Sequence, residues 1–295
     1  MEHIITALLP IFALILIGYY FKKIKFPSND FWASADKLTY FVLMPSLLIY
    51  KLSTASLEGL EALDFVITGI LGIFSLLVIT LLINFKTKIS GAVFSSVVQG
   101  AVRFNTYVFL ALIFAMFGDE GIALAALLIT FSIPFINIIC VSIFAIFVND
   151  QKTTLKGLLK SIATNPLIVA CVIGGSINHM DFDFPIVVLN ILKILSASAL
   201  PMGLLSVGVG LELRGIRDTK NELLLSTAFK LVLLPIIMYG IGVFLGINTL
   251  ALSVILIFAA MPSAPSSFVL ARQLGGDVRL MSSILTLQTL ISMFT

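Results

Sequence analysis

Two stretches decide how this chain is read: Gly100-Ala-Val-Arg-Phe-Asn-Thr-Tyr107 and Met261-Pro-Ser-Ala-Pro-Ser-Ser267. Each interrupts a long apolar run near its middle. Pro262 and Pro265 have no amide hydrogen and clash with the preceding turn, so a helix running through them must open. Arg103 and Asn105 put a charge and a side-chain amide where a membrane helix ordinarily has neither. Backbone opened at membrane depth survives only where protein buries it or where it lines a polar cavity. The stretches therefore mark a site, or they are ordinary kinks that bend helices around a bundle. One alone would not separate those readings; a matched pair favours the site.

Composition explains why membrane depth is the right setting. Of the 295 residues, 59% are hydrophobic and 11% charged, against roughly 45–50% and 25% in soluble domains. Too few polar residues remain to cover a water-facing surface, which excludes a soluble enzyme. Cys140 and Cys171 stand alone in apolar sequence and His3 and His179 are the only histidines, so no disulfide framework or His/Cys metal site is expected. The net charge is +3, and the basic residues form short clusters between apolar runs. That pattern suits membrane flanks and not nucleic acid.

Charge-free runs cover Ile4–Phe21, Phe65–Phe85, Gly121–Asn149, Ser161–Asn178 and Ile194–Leu211, each about 18 residues or longer and so able to cross the hydrocarbon as a helix. The run Leu231–Ala271 must hold two spans, with Gly246-Ile247-Asn248 as the turn between them. Phe31–Tyr50, with Asp36 and Lys37 near its start, Ser90–Phe117, and a short final span, Val278–Phe294, complete ten. The first span is expected to be retained, because its lysines follow the apolar run, the reverse of a secretory signal. One set of loops holds Lys22, Lys23, Lys25, Lys37, Lys86, Lys88, Lys152, Lys156, Lys160, Arg214, Arg217, Lys220, Arg272 and Arg279, fourteen of the 18 basic residues. The opposite set holds Lys51 and, just inside a span, Lys193. The basic set is cytoplasmic by the positive-inside rule, which turns both termini outward in a multi-pass plasma-membrane protein.

Fixed offsets tie the halves together. Pro10 and Pro166, Gly18 and Gly174, Lys37 and Lys193, and Pro45 and Pro201 are each 156 apart; Asn105 and Pro262, and Gly118 and Gly275, are 157 apart. Residues 1–156 and 157–295 then form two repeats of five spans. An odd span number forces the copies to lie upside down to each other, the plan of many secondary transporters, whose substrate binds near the midplane. The expected fold is an all-α integral membrane protein of ten transmembrane helices, two inverted five-helix repeats with broken, crossing helices 4 and 9.

Within the breaks, Ser263, Ser266 and Ser267 can satisfy freed backbone groups and offer hydroxyls, and Asn105 does the same from the other repeat. Two half-helix N-termini pointing at the centre favour a carboxylate. Arg103 neutralises an anion, contacts carbonyls of the broken ninth span, or snorkels to water; those readings stay open. Lys230, eight residues beyond Glu222, reads as snorkelling. Asn137, in Ile133-Pro-Phe-Ile-Asn-Ile138, lines the cavity or ties helices together. The chain has no Gly-Lys dipeptide, no His-Glu-x-x-His and no nucleophile–base constellation, so neither an ATP motor nor an enzyme is expected.

Asn105-Thr106, Ala260-Met-Pro262 followed by Phe268-Val-Leu-Ala-Arg272, and Leu200-Pro-Met-Gly-Leu204 with Gly208-Val-Gly-Leu211 resemble the auxin efflux carrier family. The resemblance covers essentially the whole chain. It implies a scaffold of spans 1, 2, 6 and 7 that makes a homodimer, and a transport domain of spans 3–5 and 8–10 that slides against it like an elevator. It places Asn105 at the substrate and Ser46 and Asn137 near it. The chain departs from the plant members in having Phe104, preceded by Arg103, where they have proline before Asn-Thr. It also has Ser267 where they have a second proline, with Pro265 two residues earlier, so indole-3-acetate does not follow as the substrate. The expected substrate site is Arg103, Asn105, Thr106, Ser46, Asn137, Pro262, Ser263, Pro265, Ser266 and Ser267. The expected function is secondary transport of a small organic anion such as a carboxylate, without a bound cofactor and with a proton or sodium gradient as the driving force to consider. A sodium-coupled symporter of the bile-acid type and a ligand-binding membrane sensor that moves nothing are the alternatives.

Overall fold

A computed structural model describes residues 2–54, 62–148, 163–164, 166–180, 184–211 and 220–292, and within them every regular element is helical. The basic residues Lys152, Lys156, Lys160, Arg214 and Arg217 and the repeat boundary at 156/157 lie outside the described residues.

The helices follow the apolar runs. In chain order they are α1 (Glu2–Ile24), α2 (residues 29–53), α3 (Ala62–Thr87), α4 (Gly91–Val102), α5 (residues 106–117), α6 (residues 119–147), α7 (Pro166–His179), α8 (Ile186–Gly210), α9 (residues 220–245), α10 (Thr249–Ala260), α11 (Ser266–Leu274) and α12 (Val278–Ile291). The α8 helix begins at Ile186 rather than Ile194, so Lys193 sits on an exposed face inside it and not at its mouth. By length and composition, Leu63–Thr87, Gly91–Phe147, Ile186–Gly210 and Lys220–Leu245 qualify to cross a membrane. Their outer surfaces agree: Phe244 is 88% exposed and Phe85 83%, large apolar areas that hydrocarbon solvates and water does not.

Punctuation sets the boundaries. Gly246 closes α9 in a left-handed conformation (φ 72°), and the Asn248 side chain then accepts from the Ala251 N–H at 2.9 Å to start α10. Gly118, with φ 59° and ψ −141°, separates α5 from α6, a conformation nearly closed to residues bearing a Cβ. Its offset partner Gly275 also has positive φ, 81°, and ends α11. Inside α2 and α9 the ladder widens to a π turn, Thr39–Leu43 and Phe229–Leu233, directly ahead of Pro45 and Pro235. A proline cannot donate to the preceding turn, and the helix accommodates it by this local expansion.

The chain forms two compact units. The first comprises Met1–Leu60, Tyr107–Thr130 and Leu159–Gly210. In it α1 packs on α8, and α2 packs on α7 and α8. Bare glycines permit these approaches: a Cβ on Gly18 would lie 2.0 Å from the Leu205 carbonyl oxygen of α8, and one on Gly174 would lie 2.9 Å from Leu52 Cβ of α2. Lys51 forms an ion pair with Asp119, and Ser206 donates to Asp36. The second unit comprises Glu61–Thr106, Phe131–Leu158 and Leu211–Thr295. Its centre is α4, flanked by α3, α9, α11 and α12, with α10 against α3 and α9.

Candidate substrate site at the crossing of two broken helices

The second unit contains both interrupted stretches. Helix α4 ends at Val102, and Arg103 turns the chain extended (φ −75°, ψ 152°) before Thr106 starts α5. Helix α10 ends at Ala260, Met261 is likewise extended (φ −68°, ψ 141°), and Ser266 starts α11. The opened segments meet in one backbone hydrogen bond, from the Asn105 N–H to the Pro262 carbonyl at 2.7 Å. Two residues linked by the repeat offset are thus bonded directly to each other. Asn105 is 1% exposed and Phe104 is buried against Phe258, ring centroids 4.4 Å apart.

Opened helix ends leave backbone groups without intrahelical partners, and burying them unpaired is costly. Here one side chain resolves most of the problem. Gln288 of α12, fully buried, accepts from the Ser263 N–H at 2.9 Å through Oε1 and donates through Nε2 to the Gly100 carbonyl at 3.0 Å and the Ser226 carbonyl at 3.4 Å. It therefore ties both breaks to α9. Ser263 Oγ spans 3.4 Å to the Gln99 carbonyl and 3.1 Å to Ser267 Oγ. Ser263 and Ser267, both buried, thus spend their hydroxyls on the break itself.

Arg103 is half-buried and finds partners on two other helices. Its guanidinium donates to Ser266 Oγ at 3.1 Å and to Asn137 Oδ1 at 2.9 Å, and the buried thiol of Cys140 lies against it. The fork joins the first break, the start of α11 and the middle of α6. Both oxygen partners are uncharged, and Nε is buried without a partner. Among the described residues no opposite charge pairs with the guanidinium, which lies beside the N-terminus of α11, whose dipole has the same sign.

Arg103, Asn105, Thr106, Asn137, Pro262, Ser263, Pro265, Ser266 and Ser267 all lie in this unit, with Pro265 and Ser266 on its exposed side. Ser46 belongs to the first unit, where its hydroxyl donates to the Val42 carbonyl at 2.8 Å within its own helix. Sequence reasoning missed Gln288, although a lone amide within an apolar span is itself a signal. It also misjudged Lys230. That side chain is fully buried and its Nζ is 5.4 Å from the centroid of the Phe258 ring, so it does not reach water by snorkelling.

A family model described as "Membrane transport protein" matches residues 3–295. A protein of Rhizobium meliloti (strain 1021) named "Putative malonate transporter" is 24% identical over 311 residues, covering 100% of this chain and 94% of the relative. An uncharacterized transporter of Methanothermobacter thermautotrophicus is 25% identical, covering 97% and 93%, and one of Methanocaldococcus jannaschii is 22% identical, covering 95% and 92%. With apolar helices, two matched breaks and a family model spanning nearly its whole length, the chain belongs to the membrane transport protein family of auxin efflux carriers.

Proposed function

We propose that this protein is a secondary carrier of small organic anions, with the crossing of α4–α5 and α10–α11 as its substrate site. The observation that carries the reading is Arg103, a guanidinium whose two oxygen partners, Ser266 and Asn137, are both neutral. An ion held at membrane depth without an opposite charge is costly, and an anionic substrate supplies that charge. Carboxylate geometry matches the guanidinium fork, and the positive end of the α11 dipole lies beside it. A relative named for malonate makes malonate the first substrate to try.

The transport cycle is an elevator movement within a ten-span, inverted-repeat protein in the plasma membrane, both termini outward, dimerising through its scaffold helices. The chain's division supports the reading: α1, α2, α7 and α8 group together, and α3, α4 and α9–α12 group together. Segment 107–130 goes with the first group. Offset partners with like roles, Gly18 with Gly174 and Asn105 with Pro262, support the repeat.

The test is uptake into proteoliposomes of labelled malonate, competed by a panel of mono- and dicarboxylates and their neutral amides. A carrier gives saturable uptake that carboxylates suppress and amides do not. Binding without flux would make it a sensor, and competition by amides as strong as by carboxylates would remove the anion assignment.

A further inference from the structure

Lys230 lies in the π turn of α9 with none of its surface exposed, and Nζ has no hydrogen-bond partner. The ammonium faces the ring of Phe258 at 5.4 Å, and that ring packs at 4.4 Å on Phe104, the middle residue of the first break. Lys230 is therefore one aromatic ring away from the crossing. Helix α4, which packs on the π turn, brings Gln99, whose side-chain oxygen and nitrogen are also buried without partners. Unsatisfied polar groups this deep call for an explanation.

The charges around Lys230 are sparse. Helices α4 and α10, which pack on the π turn, contain no titratable residue. Along α9 the others are Lys220, Glu222 and Tyr239; Glu222 is about 12 Å away along the axis and Tyr239 is half a rotation round the helix. In the next ring of helices, α3 has Asp64 and Lys86 near its ends, α11 has Arg272 in its last turn, and α12 has Arg279 in its first turn, after Asp277. The first break itself contributes Arg103, a second cation, with Cys140 beside it.

We propose that Lys230 is the proton-binding residue of this carrier, taking one proton as an anion binds at the crossing and releasing it as the anion leaves. The N–H bond forms with a proton from water on the loading side and breaks to water on the release side; no other bond changes. The buried Lys230 ammonium and the half-buried Arg103 guanidinium repel each other, and an anion between them relieves the repulsion. Proton and anion then favour each other's binding by the same factor, as linkage requires. A dicarboxylate, with two charges, matches Arg103 and protonated Lys230 together. The inference rests on the anion-carrier reading.

The experiment clamps proteoliposomes at zero membrane potential and imposes a proton gradient, acid outside. Wild type is expected to accumulate labelled malonate roughly tenfold per pH unit for one proton per anion. Lys230→Met and Lys230→Gln are expected to exchange internal for external malonate but not to accumulate it. Accumulation by either variant equal to wild type overturns the proposal. If wild type does not carry malonate, the substrate reading fails and Lys230 is judged by itself. Melting temperatures of wild type and Lys230→Met are then compared in detergent between pH 5 and 8 without substrate. A difference that changes across that range supports a titrating Lys230, and a constant difference overturns it.

Discussion

The break at residues 261–265 and the break at 103–105 lie against each other, yet only the later one contains proline. Pro262 and Pro265 lack the donor that would close a helix, so that segment is opened by its own covalent chemistry. Nothing in Arg103-Phe104-Asn105 forbids a helix. That segment stays open because its groups find better partners outside: the Asn105 N–H on Pro262, the Gly100 carbonyl on Gln288, and the Arg103 guanidinium on Ser266 and Asn137. One break is imposed locally and the other is induced by it. The inducing contacts also hold the Arg103 charge at the crossing, so geometry and the proposed substrate chemistry depend on the same residues.

The sharpest way to break this comparison is Arg103→Ala. Charge-assisted bonds contribute about 1.5–3 kcal/mol each, so losing the guanidinium should lower anion uptake about 100-fold, with Arg103→Lys recovering part of it. Gln288→Leu comes next and acts on stability. It leaves the Ser263 N–H and the Gly100 carbonyl buried and unpaired, at about 1–3 kcal/mol each, so the melting temperature of the purified protein should fall clearly. Ser266→Ala removes one of two oxygen partners of Arg103 at an exposed position and should reduce uptake roughly 2–10-fold. The smallest effect is expected for Pro265→Ala, about 1 kcal/mol or less from added freedom of the unfolded chain, with uptake unchanged within about twofold. A melting temperature of Gln288→Leu equal to that of wild type would remove the claim that the first break is held open by its partners.

Much of this was legible in the residues. Pro262 and Pro265 announce an opening wherever they occur in an apolar run, Gly246 and Asn248 announce a turn, and an arginine at Arg103 announces a polar surrounding. The bonding of Arg103 to Asn137 was not legible, because the two are 34 residues apart along the chain and only packing of α6 on the break brings them together. Gln288 was passed over within Val278–Phe294, where one amide among apolar residues changes the average little. Lys230 was misread for a related reason: its distance from Glu222 measures depth along a helix, whereas the helix face decides whether a side chain meets water or Phe258. The dependence of the first break on the second likewise follows from contacts between distant segments, which spacing along one segment does not encode.

The central claim is that substrate binds where the two breaks cross. Its most direct test is saturable uptake of labelled malonate by proteoliposomes of wild type beside Asn105→Ala. The substitution keeps the backbone donor to Pro262 and removes the side-chain amide, so uptake per folded protein should fall about tenfold, the effect of losing one well-placed hydrogen bond at a buried site. Uptake by Asn105→Ala equal to that of wild type, with the same half-saturating concentration, would contradict the account and move the substrate site away from the crossing.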